Sequence, residues 1–117
     1  MRITFLGTGT SVGVPEIGCD CSVCRSKNEK NKRLRSSIYV EKNGITFLID
    51  TSPDLRMQAL RYGIKKVDAI LFTHHHRDHI FGLDDMRRFN SLQKKPIPVY
   101  CGQETYDVLH ERFWYLF

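Results

Sequence analysis

Four of the five histidines in this chain fall within six residues, in the run Thr73-His74-His75-His76-Arg77-Asp78-His79. Read as His-x-His-x-Asp-His, the run gathers three imidazoles and a carboxylate, which no hydrophobic core needs. Extended backbone sends alternate side chains to one side, so His74 and His76 aim together and His75 aims away. Asp78 and His79 follow where a helix is expected to begin, within reach of a second cation. Imidazole with carboxylate suits zinc, manganese or iron. Two such cations about 3.5–4 Å apart can share a hydroxide and clamp the oxygens of an ester or phosphodiester. The competing readings are a chance cluster on a surface loop and a metal site that binds without turnover.

A second cluster, Cys19-Asp20-Cys21-Ser22-Val23-Cys24, offers three thiols at Cys-x-Cys-x-x-Cys spacing. Three thiolates can take three corners of a tetrahedral structural zinc, with a fourth ligand from elsewhere. Free thiols and a disulfide are the alternatives. Cys101 is a candidate fourth ligand, although a lone Cys at a strand end more often packs as a small apolar residue. The N-terminus, Met1-Arg2-Ile3-Thr4-Phe5-Leu6-Gly7, reads as a strand and not a signal peptide, which points to a reducing cytoplasm.

His74-x-His76-x-Asp78-His79 resembles the signature of the metallo-β-lactamase superfamily of hydrolases. The resemblance implies that His74 and His76 hold one metal and Asp78 and His79 the other, and that Asp78 also handles protons during turnover. Leu6-Gly7-Thr8-Gly9-Thr10-Ser11-Val12-Gly13-Val14-Pro15, followed by Gly18 and the three Cys, is similar to the branch containing the phosphoribosyl cyclic phosphodiesterase. That likeness implies a structural zinc on Cys19, Cys21 and Cys24 and a catalytic pair of zinc or manganese. It further implies two more His and a bridging Asp from segments beyond Phe117, and a zinc-binding His there too. Residues 1–117 are therefore expected to form the N-terminal part of a metallo-β-lactamase-like domain, with an incomplete ligand set. The expected class is α/β, one βα half of an αββα sandwich, with one sheet face uncovered. An Asp at the position of Asp50 would lie beside the metal motif and orient an imidazole; the alternative is that Asp50 only satisfies loop amides.

The elements that must position these groups follow from periodicity and turn chemistry. Arg2–Leu6 alternates as a strand, and Gly7–Glu29 is a long loop holding the Cys cluster. Ser36–Glu41 and Ile45–Ile49 flank Lys42-Asn43-Gly44, a hairpin signal. Ser52 suits a helix N-cap and Pro53 the first helical position; that helix runs to about Tyr62, stops at Gly63 and buries Leu55, Ala59 and Leu60. Val67–Phe72 reads as a strand buried on both faces, with the metal motif at its C-terminal end. Ile80–Phe89 is a helix, Ile97–Cys101 a short strand, and Gln103–Trp114 a last helix with Tyr106, Leu109, Phe113 and Leu116 at core spacing.

Composition is that of an ordinary globular domain: 117 residues, 41% hydrophobic and 26% charged. No apolar run approaches the ~20 residues of a membrane span. The net charge of +5 suits an anionic partner. Its basic residues concentrate between Arg25 and Arg35, as a solvated loop or a phosphate-contacting patch. The terminal run Phe113-Trp114-Tyr115-Leu116-Phe117 is expected to pack against further sequence or to form a dimer surface. Three functions emerge. The first is a metal-dependent hydrolase of a small phosphodiester or cyclic phosphate. The second is an endoribonuclease of the transfer-RNA 3′-processing type, with RNA as partner. The third is a metal-binding fragment without turnover.

Overall fold

The computed structural model describes residues 1–117. Asn43 and Gly44 both adopt positive φ, 51° and 78°, the geometry that a two-residue hairpin turn requires. They join β2 (Ser37–Lys42) to β3 (Ile45–Ile49). The N-terminal strand β1 (Arg2–Gly7) pairs antiparallel with β2. On the other side, β4 (Ala69–Leu71) pairs parallel with β3, and β5 (Val99–Tyr100) parallel with β4. The sheet order is β1-β2-β3-β4-β5. The two parallel steps need crossovers, supplied by α1 (Leu55–Tyr62) and by the pair α2 (Arg77–Ile80) and α3 (Met86–Gln93); α4 (Gln103–Arg112) closes the chain.

Alternation along the strands gives the sheet two unlike faces. Leu6, Tyr39, Leu48 and Ile70 point to one side and join Leu55, Ile80, Leu83, Met86, Phe89, Leu109 and Phe113 in a single core. Burying each such side chain contributes about 1.5–3 kcal/mol. The opposite face is apolar and uncovered: Ile3, Phe5, Ile45, Leu71 and Tyr100 are all exposed. Registers Ile3↔Val40, Phe5↔Ile38, Ile49↔Leu71 and Leu71↔Tyr100 make that face continuous across the sheet. The expected open βα layer is therefore present. The expectation that the fourth strand is buried on both sides is corrected, because Leu71 faces the open side.

Other boundaries move for local reasons. Helix α1 starts at Leu55, not at Pro53, because Ser52 is fully buried and its hydroxyl accepts from Asp54 N while meeting Gln58 Oε1. Gly63 ends the helix in the left-handed conformation, as expected. The buried side of α1 is Leu55 and Gln58, and Leu60 is exposed; Gln58 is turned inward by its bond to the Arg35 carbonyl, 2.8 Å. The expected Ile80–Phe89 helix is broken at Gly82: α2 begins earlier, inside the metal motif, and α3 begins at Met86. The last helix ends at Arg112, and Tyr106 lies outside the core.

At the end of the sheet remote from the metal motif, Asp68 fastens β3 to the segment entering β4. It accepts from Thr46 N (3.0 Å) and the Thr46 hydroxyl (3.1 Å) and pairs with Lys66 (2.9 Å) and Lys95 (3.2 Å). Burial pushes this carboxyl up, but Lys66, the Thr46 N–H and Lys95 outweigh it and hold the group well below the usual carboxylate range. A depressed folded-state pKa stabilises the fold above the unfolded-state value near ~3.9, and that contribution is lost as pH falls through the folded value. Asp68→Asn should lower the unfolding free energy by about 1–2 kcal/mol at neutral pH, with the gap closing in acid. Urea titrations at both pH values check this; equal stability at neutral pH would remove the clamp from the account.

Candidate metal centre

Strand β3 is followed directly by Asp50, a buried non-glycine residue with φ of 59°. The left-handed conformation costs a residue with a Cβ roughly 1–2 kcal/mol and is tolerated best by Asp and Asn. Here it aims the carboxylate at the end of the neighbouring β4. Thr73 N donates to Asp50 Oδ1 at 2.8 Å, and the Thr73 hydroxyl lies 2.7 Å from Oδ2. His79 Nδ1 lies 2.8 Å from the same Oδ2. The Asp50 carboxylate thus partners a backbone amide, a hydroxyl and an imidazole at once.

The motif residues are brought together at the C-terminal end of β4. The His74 and His76 ring centroids are 4.6 Å apart and those of His74 and His79 4.1 Å apart. His79 Nε2 is 3.4 Å from Asp78 Oδ2. With Nδ1 of His79 on Asp50, its Nε2 is left facing Asp78, the arrangement that a ligating imidazole with an outer carboxylate takes. Burial first, then the adjacent His79 and His76 rings, hold His74 below the usual imidazole range, which favours the neutral, ligating form. His75 turns toward α4, its Nδ1 3.9 Å from Glu104. Helix α2 is clipped in place by backbone bonds from Thr51 N to His79 O (2.7 Å) and from Gly82 N to Thr51 O (2.8 Å). Gly82 and Thr51 were not singled out from sequence for this role. The signal available was a glycine one turn after the motif, where a helix should have continued.

The Cys cluster also forms as a local unit. The Sγ atoms of Cys19, Cys21 and Cys24 all lie within 4.8 Å of one another. Gly18 turns the loop with φ of 76°; Cys24 N and Glu16 N approach Cys21 Sγ and Cys24 Sγ at 3.4 Å. Donation from Cys24 N, then hydrogen bonding with Cys19, lowers the Cys21 thiol to about 7. The Glu16 N–H pulls Cys24 down, but the Cys19 thiol and burial outweigh it and move Cys24 up. One thiol therefore ionises readily near neutrality, as a metal-binding trio requires.

Several candidates lie apart. Cys101 packs against the core and takes no place among the three thiols. His110 is stacked between Tyr106 and Phe117, with centroids 4.0 and 4.4 Å away. Asp84 reaches Arg87 at 3.9 Å. Much of the basic segment is spoken for: Lys32 pairs with Glu29, Arg33 bonds Thr8 and Arg35 pairs with Asp54. Trp114, Tyr115 and Phe117 are exposed. No helix is long and apolar enough to cross a membrane.

Comparison with known proteins supplies the wider frame. The family model described as "Beta-lactamase superfamily domain" matches residues 46–117. An octanoyltransferase of Porphyromonas gingivalis is 47% identical over the whole chain, which corresponds to 24% of that protein. The crystal structure of a diphosphatase from the PhnP family superposes with a TM-score of 0.93 at 51% identity, covering 98% of this chain and 46% of that one. Zinc-bound PqqB from Methylobacterium extorquens superposes with a TM-score of 0.80 at 25% identity, covering 96% of this chain and 40% of that one. The chain thus spans less than half the length of each of these relatives.

Gly82 gives the geometry a direct check. A Cβ there would lie 2.0 Å from the Ser52 carbonyl oxygen, so Gly82→Ala must push α2 off the loop that carries Asp50. Overpacking of this kind costs about 1–3 kcal/mol or more. Thermal denaturation should show the loss, and an unchanged melting temperature would mean that the clip does not hold α2.

Proposed function

The chain belongs to the beta-lactamase superfamily, and on that premise we propose that the protein is a metal-dependent hydrolase of phosphodiester-type substrates. The observation that carries this reading is the clustering after β4 of the His74, His76 and His79 rings, with Asp78 beside His79. It is supported by the 51% identity to a diphosphatase. A disubstituted diphosphate and a cyclic phosphate share the relevant chemistry: each presents a phosphorus with two of its oxygens substituted, as esters or as an ester and an anhydride, and a negative charge. The net charge of +5 favours the approach of such anions.

By residue type the His and Asp donors suit divalent cations in pairs, whereas only Cys19, Cys21 and Cys24 bring three ligand atoms within 4.8 Å of one another. Three imidazoles and a carboxylate suit zinc or manganese, and His79 already has its outer nitrogen on a carboxylate. His74 and His76 would hold one cation, Asp78 and His79 another. When bound, the cations supply Lewis acidity and ease the ionisation of water. The chain's own groups do the rest: Asp50 fixes His79, and Asp78 takes up the proton that the attacking water gives up. Water adds to phosphorus, one P–O bond breaks, and the leaving oxygen takes that proton from Asp78 and departs as an alcohol or as a phosphate. Cys19, Cys21 and Cys24 would hold a structural zinc that ties down the long loop between β1 and β2. The reading as a fragment that only binds metal predicts no turnover at all, and the cytoplasm is the compartment that fits three reduced thiols.

The test is turnover by the protein supplied with manganese or zinc, on bis(p-nitrophenyl) phosphate, a nucleoside cyclic phosphate and a dinucleoside diphosphate. Metal-dependent hydrolysis of at least one is expected, falling at least ~100-fold in Asp78→Ala. No metal-dependent product from any of them would overturn the reading.

A further inference from the structure

Thr73 stands immediately before the metal motif and is exposed to solvent, so nothing in packing explains its three polar contacts. Its N–H donates to Asp50 Oδ1 at 2.8 Å, and its hydroxyl lies 2.7 Å from Asp50 Oδ2 and 3.0 Å from His74 Nδ1. A hydroxyl has one proton to give, and a carboxylate only accepts. If the proton pointed at His74, Thr73 Oγ1 and Asp50 Oδ2 would face each other lone pair to lone pair at hydrogen-bonding distance. The arrangement without that repulsion has the hydroxyl donating to Asp50 and accepting from a protonated His74 Nδ1. The same Oδ2 accepts from His79 Nδ1 at 2.8 Å.

We propose that Thr73 is a positioning residue that locks His74 in the Nδ1–H tautomer, extending to His74 the control that Asp50 exerts directly on His79. One buried carboxylate then sets both imidazoles with Nε2 free, one ring from each of the two proposed cation pairs. His76 has no such partner, because its ring nitrogens make no hydrogen bond within the chain. The metal aspect of this inference rests on the hydrolase reading above; the tautomer lock itself does not.

Long-range 1H–15N NMR of the metal-free chain, above the usual imidazole range, reads the tautomers directly. His74 and His79 should both be Nδ1–H in the wild type. In Thr73→Val, close in shape but without the hydroxyl, His74 should spread over both tautomers while His79 stays Nδ1–H; Thr73→Ser should restore the wild-type pattern. Manganese, which thiolates hold poorly, should bind about 10–100-fold more weakly in Thr73→Val and with wild-type affinity in Thr73→Ser. An Nε2–H His74 in the wild type, or a Thr73→Val spectrum unchanged at His74, overturns the proposal. The expected tautomers with no manganese bound to any variant would uphold the lock and sink the hydrolase reading instead.

Discussion

The carboxylate of Asp50 is the point on which the site depends. It is buried at the end of β3 in a backbone conformation that residues with side chains seldom adopt. It receives the N–H and the hydroxyl of Thr73 at the end of β4 and a ring nitrogen of His79 in α2. Three elements of the chain therefore meet at one group. Removing it would leave a strained turn without compensation and take from His79 and Thr73 the acceptor that orients them. The cost of the left-handed residue is offset by hydrogen bonds to a charged acceptor, each stronger than a neutral one.

The rest of the fold delivers those elements. The parallel pairing of β3 with β4 places Asp50 and Thr73 side by side at the same end of the sheet, and Asp50 N continues the ladder by donating to the Leu71 carbonyl at 2.9 Å. Gly82 permits α2 to lie against the Asp50–Ser52 backbone. The Cys loop is held to the same frame from the other side. Gly9 and Val14 bridge to Arg35 and Arg33, and Arg35 in turn pairs with Asp54 before α1. All of the core lies on the helical side of the sheet, which leaves the second face as a continuous apolar surface.

Much of this was legible in the sequence because it is local. The Asn43-Gly44 turn, the Gly63 stop, the alternation of His74 and His76 and the Cys spacing each depend on a few neighbouring residues. What was not legible depends on contacts between distant segments. Ser52 and Pro53 carry the signature of a helix start, yet Ser52 is used by Gln58 instead. Leu60 sits at a plausible core position, but Gln58 takes the inward place because the Arg35 carbonyl needs a donor. The break at Gly82 follows from the closeness of Ser52, thirty residues earlier in the chain. Thr73 looks like an ordinary strand-end threonine until Asp50 is set beside it.

The proposed function requires the His and Asp donors beside Asp50 to load metal separately from the thiol trio. Elemental analysis of purified protein, alongside a His76→Ala, Asp78→Ala double variant, tests it most directly. The account predicts more than one metal per chain in the wild type and a fall to a single zinc in the variant. One zinc or none in both proteins would contradict it, because the four converging donors would then hold no metal in this chain.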